Sequence, residues 1–288
     1  MAGADPAKNG SSPLLAAAGR SNLVLRVVSS AVLAPLAIAA AYFGGVTFLA
    51  FWFAASLIVL WEWDTLVCAH DKNPVLIIGA VALVGSALLL AFDRAGTALT
   101  LIALSVFGIA TLASKIRRIW CALGIVYAGA LLLAPVLLRN DAVWGFAAIM
   151  FLFVVVWATD IGAYFTGRAI GGPKLMPLVS PGKTWSGAFG GTAAGIIGGV
   201  LVAHYAGATN LAVIGLLALI LAIVSQIGDL FESWIKRRYN AKDSGTLLPG
   251  HGGLMDRLDG FLTAVIVAAL IGLVRGGFDA PARGLMVW

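Results

Sequence analysis

The sequence is poor in charge: of its 288 residues, only 11% are Asp, Glu, Lys or Arg, and it has just two cysteines and three histidines. A soluble domain carries about 25% charged residues, so an ordinary soluble globular protein is excluded. Two cysteines are too few for a disulfide framework or for a thiolate metal site. Apolar residues instead make up 61% of the chain, with a mean hydropathy of +0.99. This composition predicts a membrane protein.

Apolar stretches close to the length of about 20 residues that spans a bilayer recur along the whole chain. They lie at residues 24–43, 46–62, 75–92, 97–113, 121–138, 143–159, 187–206, 211–228 and 261–277. The sequence therefore predicts an all-α polytopic membrane bundle of about nine transmembrane helices. Eight or ten spans are alternatives, because only Gly44 and Gly45 separate the first two stretches and the segment around Asp160 has weak edges.

The chain divides into three regions by composition. Residues 1–22, in which Ala, Gly, Ser and Pro are prominent, are predicted to be a disordered cytoplasmic tail. Residues 23–140 hold the N-terminal transmembrane helices, and residues 141–288 form a C-terminal transmembrane region with the candidate catalytic residues. A cleaved signal peptide is the alternative for the N-terminus, but Arg26 inside the first apolar stretch favours a retained anchor.

Basic residues predict the orientation in the membrane. With a cytoplasmic N-terminus, fifteen of the 19 Lys and Arg residues fall on the cytoplasmic side, as expected for the inside of a membrane. Residues 160–186 and 229–260 then face the cytoplasm, and the expected location is the bacterial inner membrane. The net charge of +6 does not indicate nucleic-acid binding, because the cations are spread over loops without a binding domain. Attraction to anionic lipid headgroups explains it better.

Charge is concentrated between the last two long apolar stretches, at residues 233–260, with five cations, three carboxylates, a histidine and five glycines. Charge at a membrane face is costly and marks a functional site by default. The cations that suit phosphate oxygens are Lys236, Arg237, Arg238 and Lys242. Asp256 and Asp259 lie one helical turn apart and suit a divalent cation. The segment predicts binding of a polyphosphate together with a metal ion.

A second polar face lies at the end of the stretch that precedes this segment. Its members follow helical spacing: Gln226, Asp229, Glu232, Ser233 and Lys236. Acidic residues at a membrane boundary are more often functional than structural. The structural alternative is that Asp229 and Glu232 form ion pairs with Lys236 or Arg237.

Three further elements are candidates. Asp160 and Tyr164 share a helix face, followed by Ser180, Lys183 and Thr184. The last two residues resemble the end of a P-loop, which we reject because no strand can precede them and Pro177 stands where that motif requires glycine. Residues 249–253 form a glycine-rich loop whose backbone amides suit phosphate oxygens. Glu62 is a further site candidate, and its neighbours Trp61 and Trp63 are predicted interface anchors.

Glycines recur at every fourth position from Gly187 to Gly199. Such a face lets two helix backbones approach closely. It predicts either packing inside one bundle or the seam of a homodimer, and the sequence leaves both open.

Residues 233–259 resemble the signature of the phosphatidate cytidylyltransferases, also called CDP-diacylglycerol synthases. The matching pattern is Ser-x-x-Lys-Arg, four residues, Lys-Asp, and later Pro-x-His-Gly-Gly-x-x-Asp-Arg-x-Asp. The resemblance extends to Gln226 through Ser233, to Asp160 and Tyr164, to Ser180 through Thr184, and faintly to Trp61 through Trp63. One departure is Ser186, where relatives commonly have an acid, so we assign no carboxylate ligand there.

The resemblance implies transfer of a cytidylyl group from CTP to phosphatidic acid by a Mg²⁺-dependent and dimeric membrane enzyme. Asp229 and Asp256 are the predicted Mg²⁺ ligands, with Asp160 and Asp259 as second candidates, and a second mono- or divalent cation is compatible with the site. The predicted catalytic set is Asp229, Lys236, Arg237, Asp256, Arg257 and Asp259. The predicted substrate-binding set is Asp160, Tyr164, Ser180, Lys183, Thr184, Ser233, Lys242, His251, Gly252 and Gly253.

Two other functions compete with this interpretation. A secondary transporter of an anionic substrate would use similar cations, but it predicts internal symmetry and midplane charge that the sequence lacks. Another CTP-using membrane enzyme, such as a polyprenol-type lipid kinase or an archaeal-lipid cytidylyltransferase, would need the same nucleotide chemistry.

Overall fold

The computed structural model describes residues 31–68, 72–112, 115, 117–245, 247 and 252–288. The helices are α1 (Ala31–Phe43), α2 (Gly45–Trp63), α3 (Lys72–Ala91), α4 (Ala95–Leu112), α5 (Arg118–Arg139), α6 (Gly145–Ile170), α7 (Trp185–Tyr205), α8 (Leu211–Arg238), α9 (Met255–Gly276) and α10 (Pro281–Met286). Within these residues, eight helices, α2 to α9, are long and apolar enough to cross a membrane. The prediction of an all-α polytopic bundle is confirmed. The first predicted span, 24–43, is described only from Ala31, as the shorter helix α1.

A small β-hairpin connects α6 to α7. Helix α6 continues to Ile170, beyond the predicted end at residue 159, and stops at Gly171, which has a φ of 65°. The strands β1 (Lys174–Met176) and β2 (Ser180–Thr184) then pair antiparallel, with Lys174 opposite Thr184. The expectation that no strand can precede Lys183 and Thr184 was therefore wrong, and the rejection of a P-loop now depends on Pro177 alone. The hairpin carries Lys183 back toward the end of α8, where it reaches Asp229.

Contacts between helix ends define one end of the bundle. Trp63 Nε1 donates to the Trp120 carbonyl at 2.9 Å, and Arg117 donates to the Val67 carbonyl at 2.7 Å. These bonds join the end of α2, and the π-helical turn Asp64–Cys68 that follows it, to the start of α5. The start of α9 contacts the same end of α2 through Glu62.

Other contacts define the opposite end. Arg139, which ends α5, donates to the carbonyls of Ala41 and Tyr42 at the end of α1. The Asp141 carboxylate accepts from the backbone N–H of Arg283 in α10 at 3.1 Å. The C-terminal helix α10 therefore lies at the end away from α9's first turn.

The core is centred on α5, which is the most deeply buried of the eight membrane-length helices described. Aromatic rings join α2, α6 and α9 beside it, because Phe261 stacks on Trp52 at 5.0 Å and contacts Phe153 at 5.3 Å. Helices α3 and α4, by contrast, are among the least buried of these helices. Their apolar outer faces are suited to lipid contact.

The glycine face of α7 packs inside the bundle, so it is not a dimer seam. A Cβ atom on Gly191 would lie 2.5 Å from the Thr159 carbonyl oxygen of α6. A Cβ atom on Gly199 would lie 3.0 Å from Ala218 of α8 and 2.7 Å from Val155 of α6. The alternative of internal packing is correct for this face, and the homodimer itself stays a prediction.

A Gly191→Leu substitution is expected to prevent close packing of α6 and α7. Overfilling a tight contact costs about 1–3 kcal/mol and more when backbone blocks the new side chain. Folded yield and the thermal unfolding midpoint in detergent should both fall. The matched control is Gly108→Leu in α4, because nothing lies within 4 Å of a Cβ atom at that position. A folded Gly191→Leu protein that changes only its oligomeric state would restore the dimer interpretation.

Candidate active site

The outer cluster consists of Asp160, Lys183, Asp229, Arg257 and Asp259, and it gathers charges from four elements. The Lys183 ammonium of β2 forms an ion pair with the Asp229 carboxylate of α8 at 2.5 Å, with both side chains partly exposed, at 27% and 33%. Asp259 interacts electrostatically with Asp160, Lys183 and Asp229, and Asp160 also interacts with Arg257. The fold thus brings together five predicted site residues from separate parts of the sequence.

The carboxylates of the outer cluster have fewer contacts with the described residues than Asp256 of the inner cluster has. Asp160 is exposed, and no hydrogen bond or ion pair to its side chain is found within the described part of the chain. Asp259 accepts at Oδ1 from the neighbouring Gly260 N–H at 2.7 Å. Asp229 accepts a weak 3.4 Å hydrogen bond from Ser233, which is thereby part of this cluster's surroundings.

The inner cluster consists of Glu232, Lys236 and Asp256, and it is much more buried. Lys236 Nζ lies 3.1 Å from Glu232 Oε1 and 2.5 Å from Asp256 Oδ1. The exposed fraction of the side chain is 12% for Lys236, 0% for Glu232 and 7% for Asp256. A buried carboxylate requires such a partner, because an unpaired charge away from water is strongly destabilising. The ion-pair alternative for Glu232 and Lys236 is therefore correct, while Asp229 pairs with Lys183 and not with Lys236 or Arg237.

Asp256 is surrounded by donors from the protein itself. Its Oδ2 accepts from the Ser244 N–H at 2.9 Å, the Ser244 hydroxyl at 2.8 Å and the Gly253 N–H at 2.8 Å. Its Oδ1 is taken by Lys236. The Gly253 amide, predicted to face the triphosphate, is thus used within the protein.

Glu62 joins the N-terminal helices to this site. Its Oε1 accepts from the Leu254 N–H at 2.8 Å and its Oε2 from the Met255 N–H at 2.7 Å. The side chain is fully buried. The signal available in the sequence was an acid at the end of an apolar stretch, which identified Glu62 as a candidate but not its partners. Neighbouring Trp63 is a buried core residue, so its prediction as an interface anchor was wrong.

The other predicted site residues have varied surroundings. Thr184 caps α7 by accepting from the Gly187 N–H at 3.1 Å, which is a structural role. Tyr164 is exposed and accepts from Arg168 at 2.9 Å.

Arg237 donates to the carbonyls of Val179 and Ala241, and Lys242 is exposed. Ser180 begins β2, and Gly252 has a φ of 83°. His251 lies outside the described residues.

The predicted Mg²⁺ pair, Asp229 and Asp256, stays a prediction. Among the described residues, no group of three or more His, Cys, Asp or Glu side chains is arranged to hold a metal ion. Mg²⁺ does not require such a group, because it keeps several waters and is held by one or two carboxylates plus substrate phosphates. The carboxylates of the outer cluster fit this mode by donor type, whereas Asp256 already has four protein contacts.

The fold and the site define a multi-pass helical membrane protein that gathers carboxylates and cations at one end of its bundle. Residues 24–274 match the Cytidylyltransferase family. The chain is 46% identical over 265 residues to a protein named phosphatidate cytidylyltransferase from Brucella suis biovar 1 (strain 1330), covering 91% of this chain and 97% of the relative. A protein of the same name from Haemophilus influenzae is 40% identical over 131 residues, covering 44% of this chain and 46% of the relative. The chain belongs to the cytidylyltransferase family.

Proposed function

We propose that this protein transfers a cytidylyl group from CTP to phosphatidic acid, giving CDP-diacylglycerol and pyrophosphate. The family membership and the name of the Brucella relative support the reaction class. The structural observation that carries it is the outer cluster, in which Lys183 and Arg257 lie among three carboxylates. This combination suits an anionic nucleotide that arrives with a divalent cation.

The lipid substrate explains why the site needs no nucleophilic side chain or general base. A phosphate monoester has a second pKa of about 6, so it arrives largely as a dianion that can attack the α-phosphorus of CTP. The new bond joins a phosphatidate oxygen to that phosphorus, and the bond to the departing pyrophosphate breaks. Repulsion between the two anions is the main obstacle, and the cations Lys183 and Arg257 would reduce it.

Mg²⁺ would be held by one or two carboxylates of the outer cluster together with the CTP phosphates, with Asp229 as the first candidate and Asp160 or Asp259 as the second. When bound, the metal neutralises phosphate charge and polarises the α-phosphorus. The inner cluster has a different task, because Lys236 is already shared by two carboxylates. In this proposal it holds the C-terminal end of α8 against the start of α9, and so sets the spacing of Asp229 and Asp259.

Labelled CTP tests the reaction in purified membranes supplied with phosphatidic acid and Mg²⁺. Cytidylyl transfer places the α-phosphate label in the lipid and leaves the γ-phosphate label in pyrophosphate. A CTP-dependent lipid kinase would place the γ label in the lipid instead. A transporter would place neither the α nor the γ label in lipid. Either of these last two results would refute the proposed function.

The site faces the cytoplasm in our proposal, with the protein in the bacterial inner membrane. Support comes from the basic residues at the bundle end that carries the outer cluster, and from α10 lying at the other end.

Exposed positions at the two ends are Asn240 and Arg283. Asn240→Cys should be labelled by a membrane-impermeant thiol reagent only after the cells are opened, whereas Arg283→Cys should be labelled in intact cells. The native thiols of Cys68 and Cys121 are buried, so they should not react with the reagent in intact or in opened cells. Labelling of both introduced cysteines in intact cells would contradict this orientation.

A further inference from the structure

Helix α9 begins without a side-chain cap of its own. Its N-cap residue is Leu254, whose side chain cannot accept a hydrogen bond. The first N–H groups of a helix need partners and carry a partial positive charge, so this position attracts an anion. In a family that acts on phosphates, the simplest expectation is a substrate phosphate at this position.

Glu62 occupies that position. Its two carboxylate oxygens accept from the N–H of Leu254, the N-cap residue, at 2.8 Å and from the N–H of Met255, the first helical residue, at 2.7 Å. The N–H of Gly253, just before the N-cap, donates to Asp256. Ser244 links the two carboxylates, since its hydroxyl lies 2.8 Å from Asp256 Oδ2 and 3.4 Å from Glu62 Oε2. The anion position at the start of α9 is therefore filled from within the protein.

Two glycines make room for the Glu62 carboxylate. A Cβ atom on Gly253 would lie 2.7 Å from Glu62 Oε2 and would also clash with the Ser244 hydroxyl. A Cβ atom on Gly245 would lie 3.0 Å from Glu62 Oε1. These glycines fit the close approach of a protein carboxylate, so the triphosphate is not needed to explain them.

We infer that Glu62 is a positioning residue: it fixes the first turn of α9 and thereby the direction of Arg257 and Asp259 toward the substrate. This inference rests on the proposed function. The CTP phosphates are then bound by the outer cluster and not by the N-terminus of α9. An acid from the N-terminal helices, about 190 residues away in sequence, completes a site whose other members come from residues 160–259.

Kinetics of Glu62→Gln test the inference. Glutamine keeps the shape but has one oxygen, so it can retain only one of the two N–H contacts and turns an amide toward the other. In the folded fraction, isolated by size exclusion, kcat/KM for CTP should fall about 10-fold or more, the change expected from losing one charge-assisted bond. The Mg²⁺ concentration for half-maximal rate should shift as well. Glu62→Asp keeps the charge but has a shorter side chain. Its kcat/KM for CTP should lie between that of the wild type and that of Glu62→Gln.

Ser56→Ala is the matched control, because Ser56 is also buried in α2 but bonds only within its helix, to the Trp52 carbonyl. It should leave both constants unchanged. Wild-type constants in folded Glu62→Gln would overturn the inference, even if its yield or thermal midpoint fell, since Glu62 would then be structural only. If Glu62→Gln does not fold, the same constants in Glu62→Asp decide. Failure of the proposed function is distinct, because the wild-type protein itself would then transfer no cytidylyl label.

Discussion

Asp229→Asn is expected to lower cytidylyl transfer by about 100-fold or more while the protein still inserts and folds, as for loss of one preorganised electrostatic group. Asparagine keeps the shape of the side chain and its bond to Ser233, but it removes the charge that pairs with Lys183 and that would hold Mg²⁺. Because Asp229 is partly exposed, we expect the protein to fold without its charge. The measurement is the initial rate with α-labelled CTP over a range of Mg²⁺ concentrations.

Asp243→Asn is the control for Asp229→Asn. Asp243 is exposed in the segment that connects α8 and α9, and no described residue forms an ion pair with it. Its substitution should change the rate by less than about threefold, as expected for a surface position. Near-normal turnover and Mg²⁺ dependence in Asp229→Asn would rule out Asp229 as a metal ligand, although the family assignment would remain.

Lys236→Met is expected to destabilise the protein by about 3–5 kcal/mol, the cost of leaving a buried carboxylate without its partner. Two such carboxylates, Glu232 and Asp256, share this ammonium group, and all three side chains are largely buried. Folded yield and the thermal unfolding midpoint in one detergent report the effect. Adding Glu232→Gln should recover part of the loss, because it removes one of the two uncompensated charges.

Lys242→Met is the same chemical change at an exposed position. It should alter the free energy of unfolding by no more than about 0.5 kcal/mol. If Lys236→Met were as stable as Lys242→Met and lost only activity, Lys236 would act on substrate, as the sequence alone predicted.

Hydropathy predicted the membrane helices well, because lipid allows few alternatives to a long apolar helix. The polar ends of those helices were harder. The predicted span ended at residue 159, although Asp160 and Tyr164 were expected to share a helix face, and α6 in fact continues to Ile170. The hairpin was not predicted, since the Ser-Pro-Gly-Lys-Thr sequence of β2 lacks the alternating apolar pattern of a strand.

The residue types of the site were predictable, but their pairing was not. Helical spacing placed Asp229, Glu232 and Lys236 on one face, whereas the structure divides this face between the two clusters. Which acid meets which cation depends on the positions of β2 and α9, and neither is visible in local sequence. Glu62 shows this most clearly, because its partners belong to the other end of the chain.

The carboxylates at the start of α9 also affect how this helix exchanges its amide hydrogens. The opening turn of a helix normally exchanges fast, because its N–H groups lack partners within the helix. Here the amide of Met255, the first residue of α9, and those of Gly253 and Leu254 just before it all donate to carboxylates with little or no exposure. These three amides should therefore exchange their hydrogens as slowly as the amides in the middle of the helix. The start of α9 is then expected not to fray, although a connecting segment precedes it.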